Sequence, residues 1–205
     1  MLVTRWPQSC LIVEVAGSRI AIDPGTLVTA RYGLEDLGHL DAVLYTHRHA
    51  DHLDPDLVPS LREQGVTLYG NADVVELLGA EAVTEVRDGE HLEVAGVDVL
   101  PRDLPHVPLV DGSAGPPNTG FILDGALFHP GDGISIDGLA VPVLAAPISG
   151  PSISFRDAYA MVEALGAETV VPIHYDLFTA DPEHFATVCD IARVVVLGAG
   201  QSAEL

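Results

Sequence analysis

Between Thr46 and His52 the chain reads Thr-His-Arg-His-Ala-Asp-His, so that three imidazoles and a carboxylate fall within six residues directly behind the apolar run Ala42-Val43-Leu44-Tyr45. This juxtaposition constrains both chemistry and fold. A short continuous apolar run marks a strand buried on both faces. On extended chain the side chains alternate, so His47 and His49 project to the same side and can converge on one metal ion. Asp51 and His52, after a turn, can reach a second ion beside the first. Donors of N and O with no thiolate suit zinc, and also iron or manganese. The chain must therefore fold so that a sheet opens at one edge into a donor-bearing loop.

Further donors stand at comparable places. His106 lies in Leu104-Pro105-His106-Val107, Asp132 in His129-Pro130-Gly131-Asp132-Gly133 after a predicted strand, and His174 in Pro172-Ile173-His174-Tyr175 after another. Around them the pattern predicts strands over 11–15 and 19–22, flanking the turn Ala16-Gly17-Ser18, with the second ending at Asp23-Pro24-Gly25. A helix follows Asp54 as N-cap, with Pro55 at its first position, an apolar face of Leu57, Val58 and Leu61, and Gly65 as its stop. A strand over 66–69 and a short helix capped by Asn71 come next. Asp88-Gly89 signals a hairpin within 83–100. Residues 101–119, with Pro101, Pro105, Pro108, Pro116 and Pro117, read as a long loop that starts beside His106 and is expected to border the mouth of a site. Strands are predicted at 120–123, 126–128, 141–145, 169–173 and 194–197. Helices are predicted from Ser154 to Gly166, with Ala158, Met161, Val162 and Leu165 on one face, and over 182–191. Strands and helices alternate so that two facing sheets with helices outside would satisfy them, in one domain over 1–205.

Composition narrows the function. The 205 residues include nine Arg, no Lys and 30 acidic residues, for a formal net charge of -21. Without lysine there is no Schiff-base amine, P-loop lysine or kinase-type lysine. The charge opposes nucleic-acid binding, because the arginines are scattered singly and form no patch. Two cysteines, Cys10 and Cys189, do not make a disulfide scaffold and read as buried inert thiols. No signal-peptide pattern and no membrane-length apolar run is visible, which predicts a cytoplasmic protein without a membrane partner. The oligomeric state is not legible.

The order H-x-H-x-D-H, lone His, Gly-Asp and strand-terminal His, preceded by Asp23-Pro24-Gly25, resembles the metallo-β-lactamase superfamily, and in particular its small stand-alone members. The resemblance spans Asp23 to His174. It implies an αββα sandwich with a dinuclear metal site at one edge. His47, His49 and His106 would hold the first ion, and Asp51, His52 and His174 the second. Asp132 would bridge both, with Asp23 orienting the ligand loop. It further implies two divalent ions, zinc before iron or manganese, and a hydroxide between them. That hydroxide would attack an ester, lactone, amide or phosphoester of a small molecule, with Asp51 accepting its hydrogen bond. A phosphodiesterase or nuclease of the same fold would need a basic groove. An iron-dependent oxidoreductase would lack the usual flavin or rhodanese domains. A non-catalytic relic would not need a complete ligand set. Thr46 is expected to support the loop by hydrogen bonding, and His129 either to support Asp132 or to pack. Arg48 and Tyr175, neighbours of ligand positions, are expected to face the mouth, where either could touch substrate. His39, His91 and His184 are expected at the surface.

Overall fold

Burial on both faces of the apolar runs is what the chain satisfies first. In the computed structural model, which describes residues 1–134, 138–178 and 180–205, two seven-stranded sheets stack face to face. The first holds β1 (Leu2–Arg5), β2 (Leu11–Val15), β3 (Ser18–Ile22), β4 (Ala42–Tyr45), β5 (Thr67–Gly70), β6 (Thr84–Glu85) and, at its outer edge, β14 (Ser202–Glu204), in the order β14-β1-β2-β3-β4-β5-β6. The second holds β7 (Leu92–Val94), β8 (Val97–Asp103), β9 (Thr119–Leu123), β10 (Leu127–His129), β11 (Val143–Pro147), β12 (Thr169–Ile173) and β13 (Arg193–Val194), in the order β13-β12-β11-β10-β9-β8-β7. Strands β3 to β6 run parallel, as do β10 to β13, so the carboxyl ends of β4, β10 and β12 each open into a loop.

The period-two alternation of the strands divides the core into layers. In β4, Ala42 and Leu44 face the second sheet, where they join Ile20, Ile22, Val99, Phe121, Val171 and Ile173. Val43 and Tyr45 face outward, onto Leu57, Val58, Leu61 and Val74 of the helices covering the first sheet. On the far side, Ile122, Phe128, Leu144 and Val170 pack against Ala158, Met161, Val162, Leu165 and Phe185. Helix, sheet, sheet and helix in that succession make an αββα sandwich. Among the described residues no helix is long and apolar enough to cross a membrane.

The helices begin where their caps direct. The side chain of Asp54 accepts from Asp56 N at 3.0 Å and starts a 3-10 turn over Pro55–Leu57 that runs into α3 (Val58–Glu63), the first two helices being α1 (Thr26–Thr29) and α2 (Leu34–Leu37). Asn71 accepts from Asp73 N and Val74 N, both at 3.1 Å, and caps α4 (Ala72–Leu78). Ser154 and Asp157 form a reciprocal box at the start of α5 (Phe155–Leu165). α6 covers Pro182–Val188, three residues shorter than the expected 182–191.

Three expectations are corrected. The hairpin within 83–100 turns at Ala95-Gly96, both with positive φ (50° and 82°), and not at Asp88-Gly89, which forms the crossing turn between the sheets. Alanine at the first left-handed position hides the signal that Asn or Asp would have carried. β8 continues to Asp103, so the long loop spans 104–118. Over 194–197 only Val194 belongs to a strand, β13, with Val195 N still donating to Val170 O at 2.8 Å, and the chain returns to the first sheet through β14, for which the sequence carries no signal.

Candidate metal centre

The loop after β4 carries His47, His49, Asp51 and His52, the turn after β10 carries Asp132, and His174 follows β12 directly. His106 comes from the 104–118 loop, tied down by a bridge to Gly133 and by Val107 N donating to Asp132 O at 3.0 Å. Glycine is required where these loops touch. A Cβ on Gly25 would lie 2.3 Å from the Asp51 carbonyl, and one on Gly115 would lie 2.3 Å from His106 Nδ1. The Asp23-Pro24-Gly25 turn thus lets the ligand loop pack directly over it.

The seven side chains form two groups of donors, His47, His49, His106 and Asp132 in one and Asp51, His52 and His174 in the other, with the ligand atoms of each group within 4.8 Å of one another. In the first, His47 Nε2 lies 3.1 Å from His49 Nδ1, His49 Nδ1 3.3 Å from His106 Nε2, and His106 Nε2 3.4 Å from Asp132 Oδ2. In the second, His52 Nε2 and His174 Nε2 lie 3.1 and 3.2 Å from Asp132 Oδ1, and His174 Nε2 3.4 Å from Asp51 Oδ2. The two oxygens of Asp132 therefore face different groups. Ligands held tetrahedrally at zinc-like bond lengths stand about 3.3 Å apart, which is the spacing seen here. The donors also want an occupant. His52 Nε2, His174 Nε2 and Asp132 Oδ1 are buried and, close as they lie, are not aligned for hydrogen bonds to one another or to any other group, a condition that buried polar atoms rarely tolerate.

Protonation follows from the same geometry. Burial, with the neighbouring imidazoles, pushes His47 well below the ordinary histidine range, and burial lowers His49 too, so both keep free lone pairs. Burial also opposes charge on His52 and His174. The carboxylates outweigh it: Asp132 and Asp23 raise His52 well above its usual value, and Asp132 with Asp51 raises His174 to about 9. Asp132 and Asp51 are held low by these imidazoles against the upward push of burial. Without a metal, the raised values favour protonated imidazoles at His52 and His174 while Asp51 stays ionised, so an ion entering the second group competes with those two protons.

Outer hydrogen bonds fix which ring nitrogen faces inward. Asp23, fully buried and with φ of 53°, accepts from Thr46 N at 2.8 Å, Thr46 Oγ1 at 2.6 Å and His52 Nδ1 at 2.7 Å. Thr46 Oγ1 in turn lies 3.0 Å from His47 Nδ1 and accepts its proton. The Nδ1 atoms of His106 and His174 donate to Val107 O and Ser149 O, each at 2.5 Å. His129 donates from Nε2 to Ser9 O at 2.8 Å and accepts from Gly131 N at 3.2 Å, bracing the turn that carries Asp132.

Arg48 and Tyr175 do not reach the mouth. The Arg48 guanidinium pairs with Asp73 Oδ2 at 3.0 Å, and the Tyr175 hydroxyl donates to Leu197 O at 3.0 Å while its ring lies under Arg5. Each stands next in sequence to an inward-pointing histidine: Arg48 turns away between His47 and His49, and Tyr175 follows His174, whose φ of 61° takes the chain out of the extended course of β12. His39, His91 and His184 are exposed.

Two residues at the site carried no sequence signal. Gln8, buried and with φ of 63°, donates from Nε2 to Asp51 Oδ2 at 3.0 Å, accepts from Leu177 N at 3.2 Å, and accepts the His174 N–H on its own carbonyl at 2.8 Å. Asn118 accepts from Asp132 N at 3.1 Å and donates to Pro130 O at 2.9 Å. In front of His49, Asp51, His106, Asp132 and His174 lies a cavity of about 500 Å³, walled on one side by the 104–118 loop.

Residues 3–174 match the sequence profile of the beta-lactamase superfamily domain. The chain is 29% identical to a UPF0173 metal-dependent hydrolase of Methanopyrus kandleri, covering 100% of both chains. It is 31% identical to a UPF0173 metal-dependent hydrolase of Pyrococcus abyssi over 83% of this chain and 84% of the other. Its fold superposes with a TM-score of 0.81 on Igni18, a metallo hydrolase of Ignicoccus hospitalis, at 26% identity, covering 100% of this chain and 98% of that one.

Proposed function

This chain belongs to the metallo-β-lactamase superfamily and is a metal-dependent hydrolase, and we propose that it works with two divalent ions on a small-molecule substrate. Asp132 carries the dinuclear reading: its two carboxylate oxygens serve separate donor groups, each of which already holds imidazole nitrogens at ligand spacing. His47, His49 and His106 would hold one ion, Asp51, His52 and His174 the other, and Asp132 both. The all-N,O donor set favours zinc, with iron or manganese as the alternatives. Bound there, such ions supply an acidified water and a Lewis acid for the substrate oxygen.

The residues of the chain do the rest. Asp51 is the cluster carboxylate most open to the cavity, 19% exposed against 7% for Asp132, so it is the group placed to accept a hydrogen bond from a water bound there. Gln8 keeps its carboxylate oriented. Phe178 stacks on His174, with ring centroids 5.7 Å apart, and shields that ligand from solvent. None of the arginines lines the cavity; Arg5, Arg48, Arg87 and Arg102 are committed to Asp176, Asp73, Glu85 and Asp88. A nucleic-acid strand would find no row of cations, so a small molecule is favoured over a polyanion. Free, buried Cys10 and Cys189 suit a reducing cytoplasm.

Metal analysis of the zinc-loaded full chain tests this reading. Two equivalents are expected, falling below one in Asp132→Ala. Full stoichiometry in that variant would refute the shared-ligand assignment.

A further inference from the structure

The cavity in front of the donors differs in character from the rest of the surface. The protein is strongly acidic, yet this wall is built from Val107, Leu109, Val110, Pro151, Leu177 and Phe178. Six large apolar side chains are exposed among the described residues, and three of them, Leu109 at 37%, Val110 at 80% and Leu177 at 55%, stand on the rim of this one cavity. Exposed apolar side chains gathered at one concavity mark a place where an apolar ligand is covered.

Outside the donor groups, the one titratable side chain among the described lining residues is acidic. Among the described residues no Arg lines the cavity, and the lining titratable groups are His49, Asp51, His106, Asp132 and His174 of the donor groups together with Asp111. An anionic substrate would have to pass Asp111 and enter without a cationic partner outside the ions, whereas an uncharged one meets only apolar wall. Apart from Asp111, every titratable group among the described lining residues already belongs to the donor groups. The Tyr175 hydroxyl, the nearest candidate by sequence, is turned to Leu197 O. A leaving amine, which needs a proton as the bond breaks, is poorly served. An alcohol leaves with much less help.

Building on the hydrolase reading, we propose that the substrate is an uncharged carboxylic ester or lactone with an apolar chain or ring, whose tail lies between Leu109–Val110 and Leu177–Phe178. Water adds to the acyl carbon and the acyl C–O bond breaks. The alkoxy oxygen takes up one of the water's protons and the other is released, so the products are a carboxylate, an alcohol and a proton. Neither oxidant nor co-substrate enters.

The test uses the zinc-loaded full chain and matched substrates. These are p-nitrophenyl esters of acyl chains from two to eight carbons, the same chains ending in a carboxylate, an uncharged alkyl lactone, the anilides of the acyl chains and bis(p-nitrophenyl) phosphate. For the neutral esters kcat/KM should rise roughly fourfold per added methylene until the cavity is filled. The carboxylate-tipped ester of equal length should be at least tenfold worse, and the anilides and phosphodiester slower still. Val110→Asp and Leu177→Asp, at exposed positions, should flatten the chain-length series while leaving metal content unchanged. A second readout is independent of turnover: 2-octanone, an uncharged ester isostere, should bind the metal-free protein by calorimetry, and more weakly in Leu177→Asp. Faster turnover of the phosphodiester, an anilide or the carboxylate-tipped ester, or a chain-length series indifferent to both substitutions, would overturn the substrate class while leaving the hydrolase standing. No turnover of any member of the panel by protein with full metal content would instead overturn the hydrolase reading.

Discussion

Asp23→Asn isolates the role of a residue that touches no substrate and no ligand atom. The carboxylate is fully buried and acts as acceptor for three donors, Thr46 N, Thr46 Oγ1 and His52 Nδ1, at 2.6 to 2.8 Å. An amide of the same shape has one acceptor oxygen and one donor nitrogen. If the nitrogen takes the place of Oδ2, it confronts His52 Nδ1 and Thr46 Oγ1. His52 must then move its proton to Nε2, the atom 3.1 Å from Asp132 Oδ1 that would bind the second ion. Thr46 must accept from the amide and turn its own proton to His47 Nδ1, which forces the His47 proton onto the Nε2 atom of the first group. One substitution so places protons on ligand atoms of both groups, directly for His52 and through Thr46 for His47. Loss of such orienting partners costs 10- to 100-fold in metal affinity, about 1.4 to 2.7 kcal/mol. If the amide takes the opposite orientation, the metal sites are spared and Thr46 N–H is stranded instead. That costs about 1 to 3 kcal/mol of stability, or roughly 2 to 12 °C in Tm for a chain of this size. Competition with a chromophoric chelator at pH 7.5 measures the affinities, and long-range proton–nitrogen correlation spectra report which ring nitrogen carries the proton. The expected result is weakening at both sites, larger at the second. Metal affinities within threefold of the parent together with an unchanged Tm would refute the argument.

Two further outcomes follow from the same geometry. In metal-stripped protein, the raised values of His52 and His174 contribute stability fully below pH 6.5 and lose it as the pH climbs toward about 9. The lowered values of His47, His49 and His129 subtract stability as the pH falls below 6.5. Tm of the stripped protein should therefore peak near neutrality and fall on both sides, whereas the loaded protein should not decline between pH 7 and 9; equal alkaline declines would contradict the assigned protonation. Gln8→Met keeps the volume and removes the donor to Asp51 Oδ2. It should weaken the second equivalent of zinc by about tenfold and leave the first unchanged, and equal weakening of both would show that Gln8 acts on the fold as a whole.

What could be read from the sequence was what a single physical demand imposes on one short segment. β4 and β12 lie between two layers, so burial requires an unbroken apolar run in each. Helix α5 has one covered face, and Ala158, Met161, Val162 and Leu165 repeat accordingly. The candidate donors were legible because few residue types can serve a metal and most of these follow strand ends. The one-turn helices α1 and α2 are too short to show a period, and β14 exists only because β1 offers it an edge. The same division runs through the site. His47 and His174 declare themselves by their chemistry. Gln8 and Asn118, which bond largely to backbone groups of segments far away in sequence, have ordinary side chains whose partners only the fold selects. Arg48 and Tyr175 mark the limit of reasoning by adjacency. Arg48, between His47 and His49, pairs with Asp73, and Tyr175, after His174, bonds to Leu197 O, so being next in sequence to a candidate donor did not place either side chain in the cavity. Around this cavity most of the apolar lining lies two or more positions from a donor, as Leu109, Val110, Leu177 and Phe178 do, and only Val107 is the immediate neighbour of one.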